Sequence, residues 1–369
     1  VEGIWCDNAY DWAERFIDRT TFMVVDESTT LKNPKAKRTV AACTLGRRAS
    51  YRRILTGLPV PQGPLDLYAQ CEFLEQGALG YNSFTAFKSV YAITRLVDLG
   101  GRKKFNQIIG YRNIDDLTKR LSRFSFIAKK DECLDLPPKI YNRVNVPLSA
   151  EQQRAYVSMK EDAVAELQDG SLCIAGEIIT RMLRLHQITC GYLPDENGKL
   201  HPLKNDRMRV LLDEVLPNVA GNAIIWTHFI HSILMIATEM RERYGHEAVA
   251  TFYGATPSKD RQQIVRDFQN KKHPLRFIIA NKTAAYGLTL TAATNMIYYT
   301  NQWSLDVRQQ SEDRAHRSGL HHAVTYTDLV SPGTIDVPIL RALRAKLDIA
   351  RQVLRTASGA LETLTSGPG

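Results

Sequence analysis

The chain is expected to be an α/β protein whose parallel sheets are covered by helices, and three observations predict this. In the carboxy-terminal half, apolar runs at 223–226, 248–252, 276–280, 295–300 and 324–330 alternate with segments of helical period. Strands separated by helices favour a parallel sheet buried on both faces. In the amino-terminal part, Phe22-Met23-Val24-Val25 closes on Asp26-Glu27, and a second run, 53–56, ends at Thr56; buried parallel strands end this way at a loop that carries chemistry. The stretches between have a helical pattern.

Taken in order, the strand endings at 22–26 and 53–56 belong to a first sheet. After Tyr81 the pattern is helical through 84–90, 105–109 and 114–126, without clear strands. A second helical block covers 150–168 and 176–189, followed by a polar turn, Asp195-Glu196-Asn197-Gly198, and a loop at 200–205. In the last half one helix starts through Thr256-Pro257-Ser258, with proline placed for a first turn. Another carries Gln309 to Arg317; on it Arg314 and Arg317 stand at i, i+3, so both guanidinium groups share one face and can reach one phosphate. A closing helix, 339–354, sets Leu340, Leu343, Leu347, Ala350 and Leu354 on the side that covers a sheet. The Gly-, Ser- and Thr-rich residues 356–369 read as a disordered tail.

Composition agrees with this without deciding it. A length of 369 residues suits two or three domains, and 48 Lys+Arg against 39 Asp+Glu give a net charge of +9, which favours a polyanionic partner. No acid occurs between Glu27 and Asp66, while Lys32, Lys35, Lys37, Arg38, Arg47, Arg48, Arg52 and Arg53 do. That stretch is either a solvated surface or a track for phosphate backbone. The six cysteines lie far apart with no CxxC and read as core residues in a reducing cytoplasm. The longest apolar stretch, 223–240, is broken by Thr227, His228, His231 and Ser232, so no membrane span is expected. His228 and His231 lack Cys or acidic companions and read as a polar helix start rather than a metal site.

Several stretches, in order, resemble the SNF2 family of superfamily 2 helicase-like ATPases. VVDESTTLKN (24–33) is similar to motif II, LTGLPVPQ (55–62) to motif III, and DLPPKIYNRVNVPLSAEQQRAY (135–156) to the connection between the lobes. IIWTHF (224–229) resembles motif IV, IIANKTAAYGLTLTAATNMIYY (278–299) motif V and QSEDRAHRSG (310–319) motif VI. The resemblance implies two RecA-like lobes with helical insertions. The first lobe, 1–80, is incomplete at its amino end; a helical protrusion and linker follow at 81–135; the complete second lobe is 136–355 with a helical insertion at about 150–205.

The roles it implies are those of ATP hydrolysis. Asp26 would hold Mg2+ and Glu27 would orient and deprotonate the attacking water. Arg314 and Arg317 would neutralise charge on the transferring phosphoryl group. Gln310 and Gly287 would lie at the nucleotide, with Thr56 and Gly57 linking it to the DNA face of lobe one. Lys32, Asn33, Thr227, His228, Asn281 and Lys282 would follow double-stranded DNA through phosphates rather than bases. Thr29 stands where the family carries His in DEAH, so a His-based contact between the ATP and DNA sites is open. The drift in LTGLPVPQ, AAYG and RSGL suggests a divergent phage or bacterial branch.

One part is missing from these motifs. A phosphate-cradling loop needs GxxxxGK[ST], and the only Gly-Lys pair, Gly198-Lys199, is followed by Leu200. The reading is therefore of an ATP-dependent double-stranded DNA translocase or remodeller whose Walker A segment lies on a missing amino-terminal stretch or subunit. A catalytically inactive DNA-binding module and a strand-separating helicase are the alternatives.

Overall fold

Short apolar runs flanked by helices open the first unit of the computed structural model, which describes residues 3, 6–98, 104–128, 130–168 and 175–365. Its elements are α1 (Asp7–Phe16), β1 (Phe22–Val25), α2 (Lys37–Gly46), β2 (Tyr51–Ile54), α3 (Leu67–Leu74), α4 (Phe84–Tyr91), β3 (Ala92–Asp98), β4 (Lys104–Tyr111) and α5 (Ile114–Leu121). β1 and β2 pair in parallel, Phe22 with Tyr51 through Val25 with Ile54. One face of the pair is core: Val25 packs with Leu31, Ala42 and Phe73, and Met23 and Ile54 join them. The opposite face is open. Phe22, Val24 and Tyr51 remain 55%, 45% and 68% exposed, which corrects the expectation of a fully buried strand. Strand side chains alternate, so this core takes only the Met23 and Val25 side.

The helical reading of 105–109 is overturned. Those residues lie in β4, which pairs antiparallel with β3 from Ala92–Tyr111 to Asp98–Lys104. The β-branched Ile93, Thr94 and Val97 favour a strand, and Gly100-Gly101, a hairpin signal, falls among residues 99–103, which lie outside the described residues. Before the hairpin, α4 is anchored by its aromatic rings: Phe87 meets Tyr68 at 5.4 Å and Tyr91 at 4.8 Å, and the Tyr91 hydroxyl donates to Asp116 at 2.6 Å.

The second unit, residues 129–343, begins with α6 (Lys130–Cys133), β5 (Lys139–Asn145), α7 (Ala150–Gln168), α8 (Ala175–Thr189), β6 (Tyr192–Pro194), β7 (Leu200–Pro202) and α9 (Asp206–Val210). It continues with β8 (Asn222–Trp226), α10 (Ile230–Tyr244), β9 (Val249–Phe252), α11 (Ser258–Gln269), β10 (Phe277–Ala280), β11 (Ala293–Tyr298), α12 (Leu305–Glu312) and β12 (Val324–Val330). Six strands form one sheet in the order β5-β12-β11-β8-β10-β9, parallel throughout. Successive residues feed cores on opposite faces: Ile225, Ile279 and Ile297 pack with Ile233, Ile236 and Met240, while Ile224, Ile278 and Met296 pack with Phe268 and Tyr326. This is a RecA-like α/β lobe, and the five strands expected in 223–330 all occur.

Four readings change. The connecting segment supplies an edge strand, β5, whose Ile140 and Tyr141 are 48% and 59% exposed, too open to show as an apolar run. The 200–205 loop starts with β7, paired to β6 across the Asp195–Gly198 turn, where Asp195 Oδ1 accepts from the Asn197 and Lys199 amides. The last helix, α13 (Asp336–Thr365), runs into residues read as a disordered tail, and 366–369 lie outside the described residues. Cys71 and Cys190 are buried, and burial pushes both thiols up to about 12, but Cys6 and Cys133 are exposed rather than core, and Cys173 lies outside the described residues. No described helix is long and apolar enough to cross a membrane.

Candidate functional site

In the first unit the sheet places two loops side by side. Beyond the paired strands the ladder continues: the Leu55 amide donates to Val25 O at 2.9 Å and the Ser28 amide to Leu55 O at 3.0 Å. Asp26-Glu27 and Thr56-Gly57 therefore leave adjacent parallel strands at the same carboxyl end, where open α/β sheets bind ligands. Asp26 is exposed, and its Oδ1 accepts from the Glu27 amide at 2.9 Å. Glu27 has φ 49 and ψ 54, a left-handed conformation that costs a non-glycine residue about 1 kcal/mol or more. Such strain persists only where the surroundings over-determine it. Here they do, because Ser28, which follows, is fully buried and its hydroxyl donates to Gln70 Oε1 at 2.8 Å.

The remaining first-unit candidates divide by what holds them. Thr56 Oγ1 accepts from the Leu58 amide at 3.2 Å, fixing the turn after β2. A Cβ at Gly57 would meet nothing within 4 Å and its φ is not positive, so the turn itself does not demand glycine. Lys32 is half-buried in the field of Asp66, and Asn33 is exposed with Oδ1 accepting from the Lys35 amide at 3.0 Å. In the basic stretch, Arg48 is paired to Glu14 at 3.0 Å and Arg53 lies over the Phe22 ring.

In the second unit the helix expected to carry both arginines ends early. α12 stops at Glu312, and Arg314 and Arg317 sit in the turns that follow. They converge by another route. Arg314 donates to Gln310 O at 2.9 Å, Gln310 Oε1 at 3.0 Å and Leu288 O at 3.0 Å. Arg317 donates to Thr289 Oγ1 at 2.8 Å, with Leu288 O at 3.5 Å. The Leu290 amide donates to Arg314 O at 2.9 Å, tying the two segments together. Gln310, Arg314 and Arg317 are thus gathered at the loop that Gly287 opens. Gly287 has φ 71 with nothing within 4 Å of a Cβ, so its left-handed backbone, not a close approach, calls for glycine.

The polar candidates of the second unit follow β8 and β10 at the carboxyl end of the sheet. Thr227 and Asn281 are buried and serve the scaffold: Thr227 Oγ1 lies 3.2 Å from Thr300 Oγ1, and Asn281 Oδ1 accepts from the Thr283 amide at 3.0 Å. Lys282 is exposed and His228 half-buried. They line a small cleft with Trp226, Thr300, Asn301 and Arg308. Burial, and then the charge of Lys282, holds His228 below the ordinary histidine range.

Sequence reasoning missed the residues that orient this site. Arg308 donates to Glu312 at 2.8 Å, Asn301 at 2.7 Å and Asp328 at 2.5 Å, with its guanidinium 3.5 Å from the centroid of the Tyr298 ring. Glu312 also accepts from Lys139 and Tyr141, both at 2.8 Å. Lys130 donates to Asp313 at 2.7 Å and to His316 O at 2.6 Å. The segment before β5 and β5 itself therefore clamp the end of α12. The i, i+4 spacing of Arg308 and Glu312 was the visible signal; their distant partners gave none.

His186 lies within the same unit, with Nε2 3.8 Å from Asp336 and its ring stacked 6.0 Å from His228. Burial pushes its pKa down from 6.5 to about 4, against the pull of Asp336. A folded pKa below the unfolded one means that the unfolded chain binds the proton first, so this stability is present above pH 6.5 and is lost as pH falls from 6.5 towards 4. Urea unfolding is expected to show a loss approaching roughly 3 kcal/mol over that window, and His186→Phe to make the slope shallower. An unchanged slope would remove His186 from the account.

The model for the SNF2-related domain matches residues 11–192, and that for the helicase conserved C-terminal domain matches 206–319. The putative ATP-dependent helicase/translocase YwqA of Bacillus subtilis (strain 168) is 27% identical over 350 residues, covering 92% of this chain and 36% of its own length. The DNA annealing helicase and endonuclease ZRANB3 of Bos taurus is 27% identical over 340 residues, covering 90% and 30%. The chain thus spans about a third of the length of these relatives. The Sulfolobus solfataricus SWI2/SNF2 ATPase core in complex with dsDNA is 27% identical, covers 92% of this chain and 69% of its own, and superposes with a TM-score of 0.47.

Proposed function

Because the chain belongs to the SNF2 family, we propose that it provides the water-activating and phosphate-neutralising parts of an ATP-dependent double-stranded DNA translocase. The observation that carries this reading is the acid pair Asp26-Glu27, with Glu27 held in a left-handed backbone, at the carboxyl end of a parallel strand beside Thr56-Gly57. In the proposed reaction Glu27 accepts the proton of a water whose oxygen attacks the γ-phosphorus, while the bond from that phosphorus to the ADP oxygen breaks. Asp26, an exposed carboxylate at a strand end, fits the single protein carboxylate that Mg2+ commonly takes alongside phosphate oxygens and water. When bound, Mg2+ neutralises charge on the phosphate oxygens. Arg314 and Arg317, oriented by Gln310, Leu288 and Thr289, supply the remaining positive charge during turnover. Lys282 and His228 on one unit, and Lys32 and Asn33 on the other, take phosphate backbone.

The 369 residues hold no GxxxxGK[ST] loop, so the phosphate cradle is assigned to residues beyond them, in the same chain or in a partner. With that segment they form the assembled enzyme. The test is ATP hydrolysis by the assembled enzyme with and without duplex DNA. Stimulation by duplex is expected, and turnover indifferent to DNA would sink the translocase reading. The lack of that loop also motivates a second reading, a DNA-gripping module that uses no nucleotide. Titrating ATP and duplex against the chain alone decides: micromolar ATP binding contradicts it, and tight, salt-sensitive DNA binding without ATP supports it.

A further inference from the structure

We propose that Gln70 is a positioning residue that ties the Asp26-Glu27 turn to the loop after β2, coupling water activation to the state of that loop; the inference rests on the ATPase reading above. Gln70 is fully buried in α3, where an amide is costly unless every polar atom is matched. All of them are. Nε2 donates to Pro59 O at 2.8 Å and to Asp66 O at 2.7 Å, and Oε1 accepts from Ser28 Oγ at 2.8 Å. The two carbonyls fix the orientation of the amide, since flipping it would set oxygen against both. Oε1 must therefore face Ser28, and the Ser28 hydroxyl must be the donor.

This chain of bonds reaches the catalytic turn from α3. Ser28 directly follows Glu27; its amide is held by Leu55 O and its side chain by Gln70. The left-handed Glu27 backbone is thus gripped through its neighbour from two directions. The far end of Gln70 holds Pro59, three residues beyond Thr56. Thr29 stands where a motif histidine would bridge the ATP and DNA sites, and Ser28–Gln70–Pro59 provides a bridge between the same two segments. A shift of the loop at Pro59 must then move Gln70, break a buried hydrogen bond, or move Ser28.

Ser28→Ala, Gln70→Leu and the double variant test this in the assembled enzyme. Ser28→Ala deletes one hydroxyl and leaves the other two Gln70 bonds in place, so it is the milder variant, expected to fold at a cost of about 1–3 kcal/mol for the unmatched Oε1. Its DNA-stimulated kcat is expected to fall about tenfold, equivalent to about 1.4 kcal/mol, with the KM for ATP changed by less than about twofold. Gln70→Leu should lose at least as much, and the double variant no more than Gln70→Leu. A lowered melting temperature with kcat intact, or additive losses, would overturn the coupling and leave Gln70 a packing residue. Should the unsubstituted assembled enzyme hydrolyse no ATP, the ATPase reading fails by itself. Hydrogen exchange on the chain alone then decides the link: Ser28→Ala should speed exchange at the Ser28, Thr30 and Leu58 amides, and unchanged rates would refute it.

Discussion

Arg314→Ala is expected to lower DNA-stimulated turnover of the assembled enzyme by about 10³-fold or more, the range in which an arginine at a transferring phosphoryl group acts. The side chain also has a structural part. Its bonds to Leu288 O and to Gln310 hold the turn after α12 against the loop at Gly287, and for these part-buried bonds the loss is about 1 kcal/mol each. The two parts separate by measurement. Loss of structure lowers the urea midpoint and raises the KM for ATP, whereas loss of transition-state charge lowers kcat at saturating ATP. Arg314→Lys keeps the charge but not the planar fork that meets Leu288 O and Gln310 Oε1 together, so it should recover little. Glu27→Gln is the companion: it removes the proton acceptor while keeping the shape, and about 10²- to 10⁴-fold loss is expected with ATP binding retained. Turnover within tenfold of the unsubstituted enzyme for either residue would remove it from the reaction.

These residues were legible in the sequence for an identifiable reason, and the helix drawn under them was not. An acid pair after four apolar residues and an RxxR spacing are local patterns, and local patterns survive translation into structure when a strand end or a turn fixes them. The arginines converge although α12 ends at Glu312, because Leu288 and Thr289, more than twenty residues upstream, collect both side chains. The buried second-unit strands were readable because both faces are apolar, whereas β5, with Tyr141 more than half exposed, carries little such signal. Phe105 to Ile109 misled because exposed strands keep apolar residues without strict alternation: Ile108 and Ile109 are adjacent and both exposed, next to a register shift between Ile93 and Thr94. Gln70 could not be read at all. A glutamine on a helix is ordinarily solvated, and its three partners lie 4, 11 and 42 residues away.

The same limit hides the residue with the largest expected effect on stability. Arg207 is 1% exposed, and its guanidinium donates to Tyr299 O and Ser331 Oγ, each at 2.8 Å, while pairing with the Asp336 carboxylate. Asp336 Oδ2 in turn accepts from the Ser331 amide at 2.9 Å. One side chain therefore joins α9 to the ends of β11 and β12 and to the start of α13. Arg207→Met fills much of the volume but leaves Asp336 buried without its partner, and breaking a buried pair from one side costs about 3–5 kcal/mol. Urea unfolding of the chain should show that loss. Replacing both partners, Arg207→Met with Asp336→Leu, should be less destabilising than the single change, because the stranded charge is gone. That non-additivity separates the cost of an orphaned carboxylate from the worth of the pair. It also bears on the cleft, since Thr300 and Asn301 follow the carbonyl that Arg207 holds and Thr300 Oγ1 accepts from the His228 amide at 2.8 Å. Weakened duplex binding in the single variant, restored in the double, would mean that the carboxyl end of the sheet is shaped by this buried pair. A double variant as stable as the unsubstituted chain would show that the pair's desolvation cancels its attraction, and a single variant as stable would show that Asp336 is not stranded by the loss of Arg207.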